Sequence, residues 1–212
     1  MIKPIIMIGS GGHASVLTDI LLQNTHTILA VISPDKGTSS VFNHIQHFDS
    51  DDDILQFSQN EVKLVNGLGS LPRQGLRHEI FNYFTQLNFQ FETVISQNAM
   101  LSPYSTIGVG SQILTGAIIQ TGAVIGASTI VNSGAIVEHD CHIGMHCHIA
   151  PGATICGNVH IGEHTHIATG ANVIQGVSIG KHCIVAAGAT VTKDMPDNSI
   201  AYGYRSKIEK RS

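Results

Sequence analysis

From Ile95 to Val191 every sixth residue is Ile, Leu or Val, seventeen consecutive anchors without a slip. Four residues after most anchors stands a small or slim side chain: Ala117, Ala123, Thr129, Ala135, Cys141, Cys147, Ala153, Thr165, Ala171, Cys183 and Ala189. A period of six fits neither an amphipathic α-helix nor a plain alternating strand. It fits a short strand plus a turn, repeated as the flat sides of a triangular coil. The anchor points inward, the small residue lets the chain round the corner, and three hexads close one coil. Successive coils then stack as parallel strands about 4.8 Å apart. The period therefore predicts a left-handed parallel β-helix.

The composition agrees. Among 212 residues, Gly reaches 22 copies, charged residues make up only 12%, and Trp is absent. That profile suits short strands joined by many tight turns. The net charge is −4 with no block of Lys or Arg, which argues against a nucleic-acid role. Arg205, Lys207, Lys210 and Arg211 read as a solvated basic tail. The opening run Ile5–Ile8 stops at a glycine cluster, too short for a signal core or a membrane span. The expectation is a cytoplasmic protein that does not engage membranes, with its four cysteines reduced. Cys141, Cys147 and Cys183 fall in the small corner slot, and no Cys-x₂₋₄-Cys spacing suggests zinc. They are expected to pack, and no metal is expected.

Before Ile95 the pattern changes. Strands are expected at Ile5–Ile8, Ile28–Ile32, Val62–Val65 and near Phe89–Thr93. Helices are expected after Gly12, over Asp51–Phe57, and around Leu76, Ile80, Phe84 and Leu87. This alternation predicts a small Rossmann-like α/β domain over residues 1–90, followed by the β-helix over 91–212. Ligands on such sheets bind beyond the carboxyl ends of the strands. Those ends carry Gly9 to His13, Asp35 and Gly69. A glycine turn opening a helix suits an anionic phosphate, and it equally serves as a structural tight turn. About 90 residues is too short for two mononucleotide halves, so a nucleotide sugar with one base fits better than a dinucleotide.

The string Gly9-Ser-Gly-Gly-His13, Gly69, and Val137-Glu-His139-Asp140-Cys141-His142-Ile143-Gly144 carry a family resemblance, as do His148, Gly152 and Cys156-Gly157-Asn158-Val159. Together they resemble the NeuD/PglD-type sugar O- and N-acyltransferases, over nearly the whole chain. The likeness is greatest to the branch that N-acetylates UDP-4-amino sugars in bacillosamine formation. The resemblance implies a general base at His139 and a supporting carboxylate at Asp140. It implies acetyl-CoA contacts at His148, Gly157, Thr169 and Gly188. Nucleotide-sugar contacts fall on Gly11, Gly12, His13 and Gly69, with Asp35 the one candidate where the family carries paired acidic residues. The family's closing G-x-P-A-K reads here as Gly203-Tyr-Arg-Ser-Lys207. The resemblance also implies a homotrimer with the acyl site between neighbours, acetyl-CoA as co-substrate, and a UDP-amino sugar as acceptor.

Spacing supports part of this. His139 and Gly157 are three hexads apart, one coil along the same edge, where the glycine N–H can face a thioester oxyanion. One such donor is worth about 3 kcal/mol in rate. Direct transfer needs no nucleophilic Ser or Cys: the sugar amine attacks the thioester while His139 takes a proton. Three further sets of histidines recur at the same interval: His146, His164 and His182; His142 and His160; His148 and His166. They are expected to stack as ladders, as surface repeats rather than ligands. Sialic acid O-acetylation, a γ-carbonic-anhydrase-like metal enzyme and a non-catalytic nucleotide-sugar-binding module are the rival readings.

Overall fold

A computed structural model describes residues 3–72 and 75–204. The basic tail from Arg205 onward, including Lys207, lies outside the described residues.

The N-terminal part is a four-stranded parallel sheet of β1 (Ile5–Ile8), β2 (Ile28–Ile32), β3 (Gln46–Phe48) and β4 (Lys63–Asn66), in the order β3-β2-β1-β4. β1 is buried along its whole length, as expected for a strand covered on both faces. Helix α1 (Gly12–Gln23) packs one face with Leu17, Ile20 and Leu21, and helix α2 (Leu76–Gln86) packs the other with Ile80, Phe81 and Phe84. The sequence reading missed one strand and placed another too strongly. The edge strand Gln46–Phe48 has no apolar alternation to announce it, and among the described residues it pairs only with β2. The strand expected at Phe89–Thr93 is reduced to a single bridge between Leu64 and Phe91. The turn of helix over Asp51–Gln56 is a 3₁₀ segment held by a Ser50–Asp53 capping box.

From Val94 the chain winds into a left-handed parallel β-helix with three faces. The first face stacks strands from Val94–Ile95 through Gln112–Ile113, Ile130–Val131, His148–Ile149, His166–Ile167 and Ile184–Val185 to Ile200–Ala201. The second runs from Met100–Leu101 to Thr190–Val191, and the third from Thr106–Ile107 to Ser178–Ile179. Partners lie three hexads apart, as in Ile130↔His148 and Val137↔Ile155. The last coil is shorter, pairing Val185 with Ala201. The anchors from Ile113 to Val191 form one buried column, each contributing about 1.5–3 kcal/mol by leaving water.

The corners explain the rest of the hexad. Their second residue adopts a left-handed backbone, with φ of 71° at Gly122, 57° at Asp140, 57° at Asn158 and 73° at Gly176 along one edge. Gly, Asn, Asp and His tolerate this region best. His146, His164 and His182 occupy the equivalent place on another edge, with φ of 54–58°. In the small corner slot, side chains donate to a carbonyl 15 residues on. Thr129 Oγ1 reaches Gly144 at 2.8 Å, Cys147 Sγ reaches Gly162 at 3.2 Å, and Thr165 Oγ1 reaches Gly180 at 2.8 Å. The cysteines there are packing residues, as expected.

The α/β part docks on the first face. Ile5, Met7, Ala14 and Leu17 share one apolar cluster with Val94, Leu114 and Ile130 of the coil. The histidine ladders form as expected, with ring centroids 4.9 Å apart for His142–His160, His146–His164 and His164–His182. Only the first is a plain surface ladder. His146 and His164 pack against His78, 5.6 and 4.9 Å away, and His146 also meets Phe81 of α2 at 5.4 Å. His148 and His166 line the same docking face. These histidines serve the seam between the two parts, which the surface-repeat expectation missed.

Candidate active site

His139 and Asp140 form the corner between the second and third faces. Val137 anchors the strand before them and Cys141 fills the slot behind, so the two polar side chains project outward. His139 Nδ1 donates to Asp140 Oδ2 at 2.9 Å. The imidazole is 58% and the carboxylate 64% exposed, so the pair adds little to stability. What it fixes is orientation: with Nδ1–H committed, Nε2 carries the lone pair. Two glycines make room for it. A β-carbon at Gly122 would overlap Asp140 Oδ1, and one at Gly157 would overlap His139 Nε2 and stand 2.6 Å from Cε1. The imidazole therefore lies along the edge, over the next coil. Among the described residues no acceptor takes the Gly157 N–H, whose neighbour Asn158 N donates to His139 O at 2.9 Å.

Thr169 and Gly188 lie on a different edge, between the first and second faces. They stack on adjacent coils, Gly188 N donating to Thr169 O at 3.0 Å, and both are exposed. Within one chain the second face separates them from His139. Met100, Ile118, Ile136, Thr154, Asn172 and Thr190 open the successive strands of that face.

His148 is placed differently again. It sits on the docking face, 9% exposed, with Nδ1 donating to Ser70 O at 2.9 Å and Nε2 accepting from Asn132 Nδ2 at 3.1 Å. Burial and the neighbouring His166 hold its pKa down to about 3, so it is neutral. Both ring nitrogens are engaged inside the chain.

The predicted nucleotide-sugar residues do gather at one place. Gly11 is the N-cap of α1 and Gly12 its first residue; neither has an atom within 4 Å of where a β-carbon would stand, so their backbone is open. The first turn holds no acidic residue, which leaves the positive end of the helix dipole free for an anion. Gly69 borders His13, with 3.9 Å between its ideal β-carbon and His13 Cβ. Ser10 Oγ donates to Asp35 O at 2.6 Å, bringing the loop after β2 alongside the turn. The Asp35 side chain is exposed. His13 Nε2 donates to Gln112 Oε1 at 2.7 Å. Burial, with the Arg77 charge nearby, lowers its pKa to about 4.

Sequence reasoning missed Asn66, Arg77, Gln112 and Asn132, which connect these places. Signals existed for two. Gln112 is a polar residue standing between Val94 and Ile130 in an outward column. Arg77 lies three residues before Ile80 on the buried stripe of α2. A cavity of about 400 Å³ lies at the remaining edge, between Ser70–Pro72, His78 and the ladder of His146, His164 and His182. It is remote from the His139 corner. Among the described residues, no group of three or more His, Cys, Asp or Glu is placed to hold a metal ion, and no helix is long and apolar enough to cross a membrane.

A hexapeptide coil with a carboxylate-oriented histidine on its edge, preceded by a small parallel α/β domain, defines a sugar acyltransferase class. The PglD N-terminal domain family matches residues 4–84, and the bacterial transferase hexapeptide family matches residues 122–157 and 158–193. PerB from Caulobacter crescentus, solved with CoA and GDP-perosamine, is 30% identical, covers 99% of each chain and superposes with a TM-score of 0.86. The acetyltransferase domain of PglB from Neisseria gonorrhoeae, solved with acetyl coenzyme A, is 29% identical over 93% of this chain and 95% of that one, with a TM-score of 0.85. WeeI from Acinetobacter baumannii is 25% identical over 94% and 96%, with a TM-score of 0.82. No curated protein matches the chain. The chain belongs to the PglD-type family of hexapeptide-repeat sugar acyltransferases, and it is an acyltransferase.

Proposed function

We propose that the protein transfers acetyl from acetyl-CoA to the 4-amino group of a UDP-4-amino-4,6-dideoxy-N-acetylhexosamine, in bacillosamine-type glycan biosynthesis in the cytoplasm. The observation that carries this reading is the His139–Asp140 pair lying over Gly157. His139 Nε2 takes the proton from the attacking amine, a service typically worth about 10²–10⁴-fold. Asp140 keeps the ring in the required tautomer and stabilises the imidazolium. The Gly157 N–H meets the carbonyl oxygen as the thioester turns tetrahedral. The acetyl carbon leaves sulfur for nitrogen, the His139 imidazolium returns its proton to the departing sulfur so that CoA leaves as the thiol, and no covalent enzyme intermediate forms.

Gly11, Gly12, His13, Asp35 and Gly69 receive the nucleotide sugar. Thr169 and Gly188 contact CoA from a neighbouring copy in a homotrimer. That assembly is supported by the geometry of a single chain, in which the two edges flank an outward column that opens on Met100, Ile118 and Ile136. His148, with both nitrogens engaged within the chain, reaches CoA only if Asn132 or Ser70 releases it.

The GDP-perosamine bound by PerB supports a second reading in which the acceptor is a GDP-linked amino sugar. The test is thiol release from acetyl-CoA with a UDP-4-amino-4,6-dideoxy sugar, GDP-perosamine and sialic acid in parallel. Turnover on the UDP sugar, lost in His139→Ala, supports the first reading. A preference for the GDP sugar moves the acceptor. Turnover on sialic acid alone replaces N- with O-acetylation.

A further inference from the structure

The segment that leaves β4 is held along its carbonyls by side chains from three elements. Asn66 O accepts from Gln112 Nε2 at 2.7 Å and from Arg77 Nη1 at 2.8 Å. Leu68 O accepts from the same Arg77 Nη1 at 2.6 Å, and Ser70 O accepts from His148 Nδ1 at 2.9 Å. Asn66 closes the loop, its Nδ2 donating to Arg77 O at 2.8 Å and its Oδ1 accepting from Leu68 N at 3.2 Å. Gln112 passes the connection to His13, and His148 passes it to Asn132. One set of hydrogen bonds joins His13, Gln112, Asn66, Arg77 and Leu68, a second joins Ser70, His148 and Asn132, and the backbone from Leu68 to Ser70 links the two.

Arg77 is the charged member of the first set. It is 7% exposed, it makes no ion pair among the described residues, and its Nη2 is buried without a partner among them. Burial lowers its pKa to about 9, which leaves it protonated at neutral pH. Burying an unpaired guanidinium is costly, and two carbonyl contacts alone are served as well by a neutral donor. The charge needs a reason. Arg77 borders the cavity beside His78 and the histidine ladder. On its other side its charge is felt at His13, and it holds the segment whose Gly67 packs against Gly9. There the Gly11–Gly12 end of α1 has a positive field and no carboxylate in its first turn, which suits an anion.

We infer that Arg77 is a positioning residue that makes the acceptor site select diphosphate-linked over free sugars: it clamps the Asn66–Leu68 carbonyls beneath the glycine turn and places a fixed positive charge behind it. This rests on the reading of the turn as the nucleotide-sugar site. Arg77 touches no reacting atom, and its effect is on acceptor binding. The charge also acts on His13, helping to keep that ring neutral while Nε2–H is held by Gln112.

The test compares wild type with Arg77→Gln and Arg77→Lys by calorimetry with UDP, GDP and inorganic pyrophosphate, and by NMR titration of the His13 ring. Arg77→Gln is expected to weaken pyrophosphate and nucleotide at least tenfold, to leave CoA binding within twofold, and to raise the His13 midpoint from about 4 toward the ordinary histidine value. Arg77→Lys restores the anion affinity in part. In turnover, KM for the nucleotide sugar rises while kcat stays within threefold. Unchanged anion affinity and an unchanged His13 midpoint in Arg77→Gln overturn the assignment while leaving the acetyltransferase reading intact. If Arg77→Gln does not fold, equal anion affinity in Arg77→Lys with its double-carbonyl clamp lost overturns the clamp. Arg77-dependent pyrophosphate binding in a protein that acetylates no sugar sinks the acetyltransferase reading and leaves this one standing.

Discussion

The imidazole of His139 occupies the space that a side chain on Gly157 would fill, one coil along the same edge. Gly157 has no left-handed backbone to require glycine, so the requirement is steric. Gly157→Ala is expected to displace the ring and lower kcat by at least about 10²-fold, the scale of a lost general base. The melting temperature should hold within a few degrees. Steady-state turnover beside a thermal melt checks both.

His139→Ala removes the base and keeps the edge open. Activity is expected to fall by about 10²–10⁴-fold, with CoA affinity and oligomeric mass unchanged. Turnover near the wild-type rate would remove His139 from the mechanism.

Asp140 sits at φ 57°, a conformation asparagine shares readily. Asp140→Asn therefore deletes the charge without straining the corner. A 10–100-fold fall in kcat at unchanged stability is the expected result, roughly 1.4–2.7 kcal/mol of transition-state stabilisation. Asp140→Ala adds a backbone penalty of about 1 kcal/mol, visible in denaturant melts.

The cysteines should separate by reactivity. Cys141, Cys147 and Cys183 are buried, and burial pushes the Cys147 thiol up to about 12. Cys156 is partly exposed beside Gly157. Iodoacetamide at pH 8 is expected to label Cys156 in the folded protein and the others only after unfolding. Tandem mass spectrometry that locates the label within the Glu-C peptide holding Cys141, Cys147 and Cys156 decides this, since no Lys or Arg separates them.

Five seam histidines are held below the ordinary value: His148 down to about 3, His13 and His146 down to about 4, and His164 and His166 lowered as well. Burial is the leading cause in each. Between these values and the ordinary one near 6.5, the unfolded chain binds more protons than the folded one. Stability is therefore full above about pH 6.5 and lost as pH falls toward 4. Urea midpoints measured from pH 7 to pH 4 should fall steadily, and His148→Gln should flatten the slope.

How far the sequence was legible follows from how local each feature is. The hexad is local: every anchor, from Ile95 to Val191, reports its own orientation, so the coil follows from period alone. The His139 corner is legible for the same reason, since residue 157 must lie one rung along. The seam is not. Whether His146 faces water or Phe81 depends on where α2 lands, and no short-range pattern encodes that. His148 shows the cost, because its position in the hexad is right while its surroundings come from Ser70, 78 residues earlier. Gln46–Phe48 escaped because an edge strand of three polar or aromatic residues carries no alternation.

The three-hexad register has a consequence for how such a chain tolerates length changes. A gain or loss of one whole coil slides everything beyond it along the axis by one rung and keeps each edge facing the same way. A gain or loss of a single hexad leaves the hydrophobic column intact yet turns everything beyond it by a third of a revolution. Thr169 and Gly188 would then face where another edge had been, though every hexad still reads as sound. In this architecture an insertion is felt as rotation, and folding alone does not reveal it.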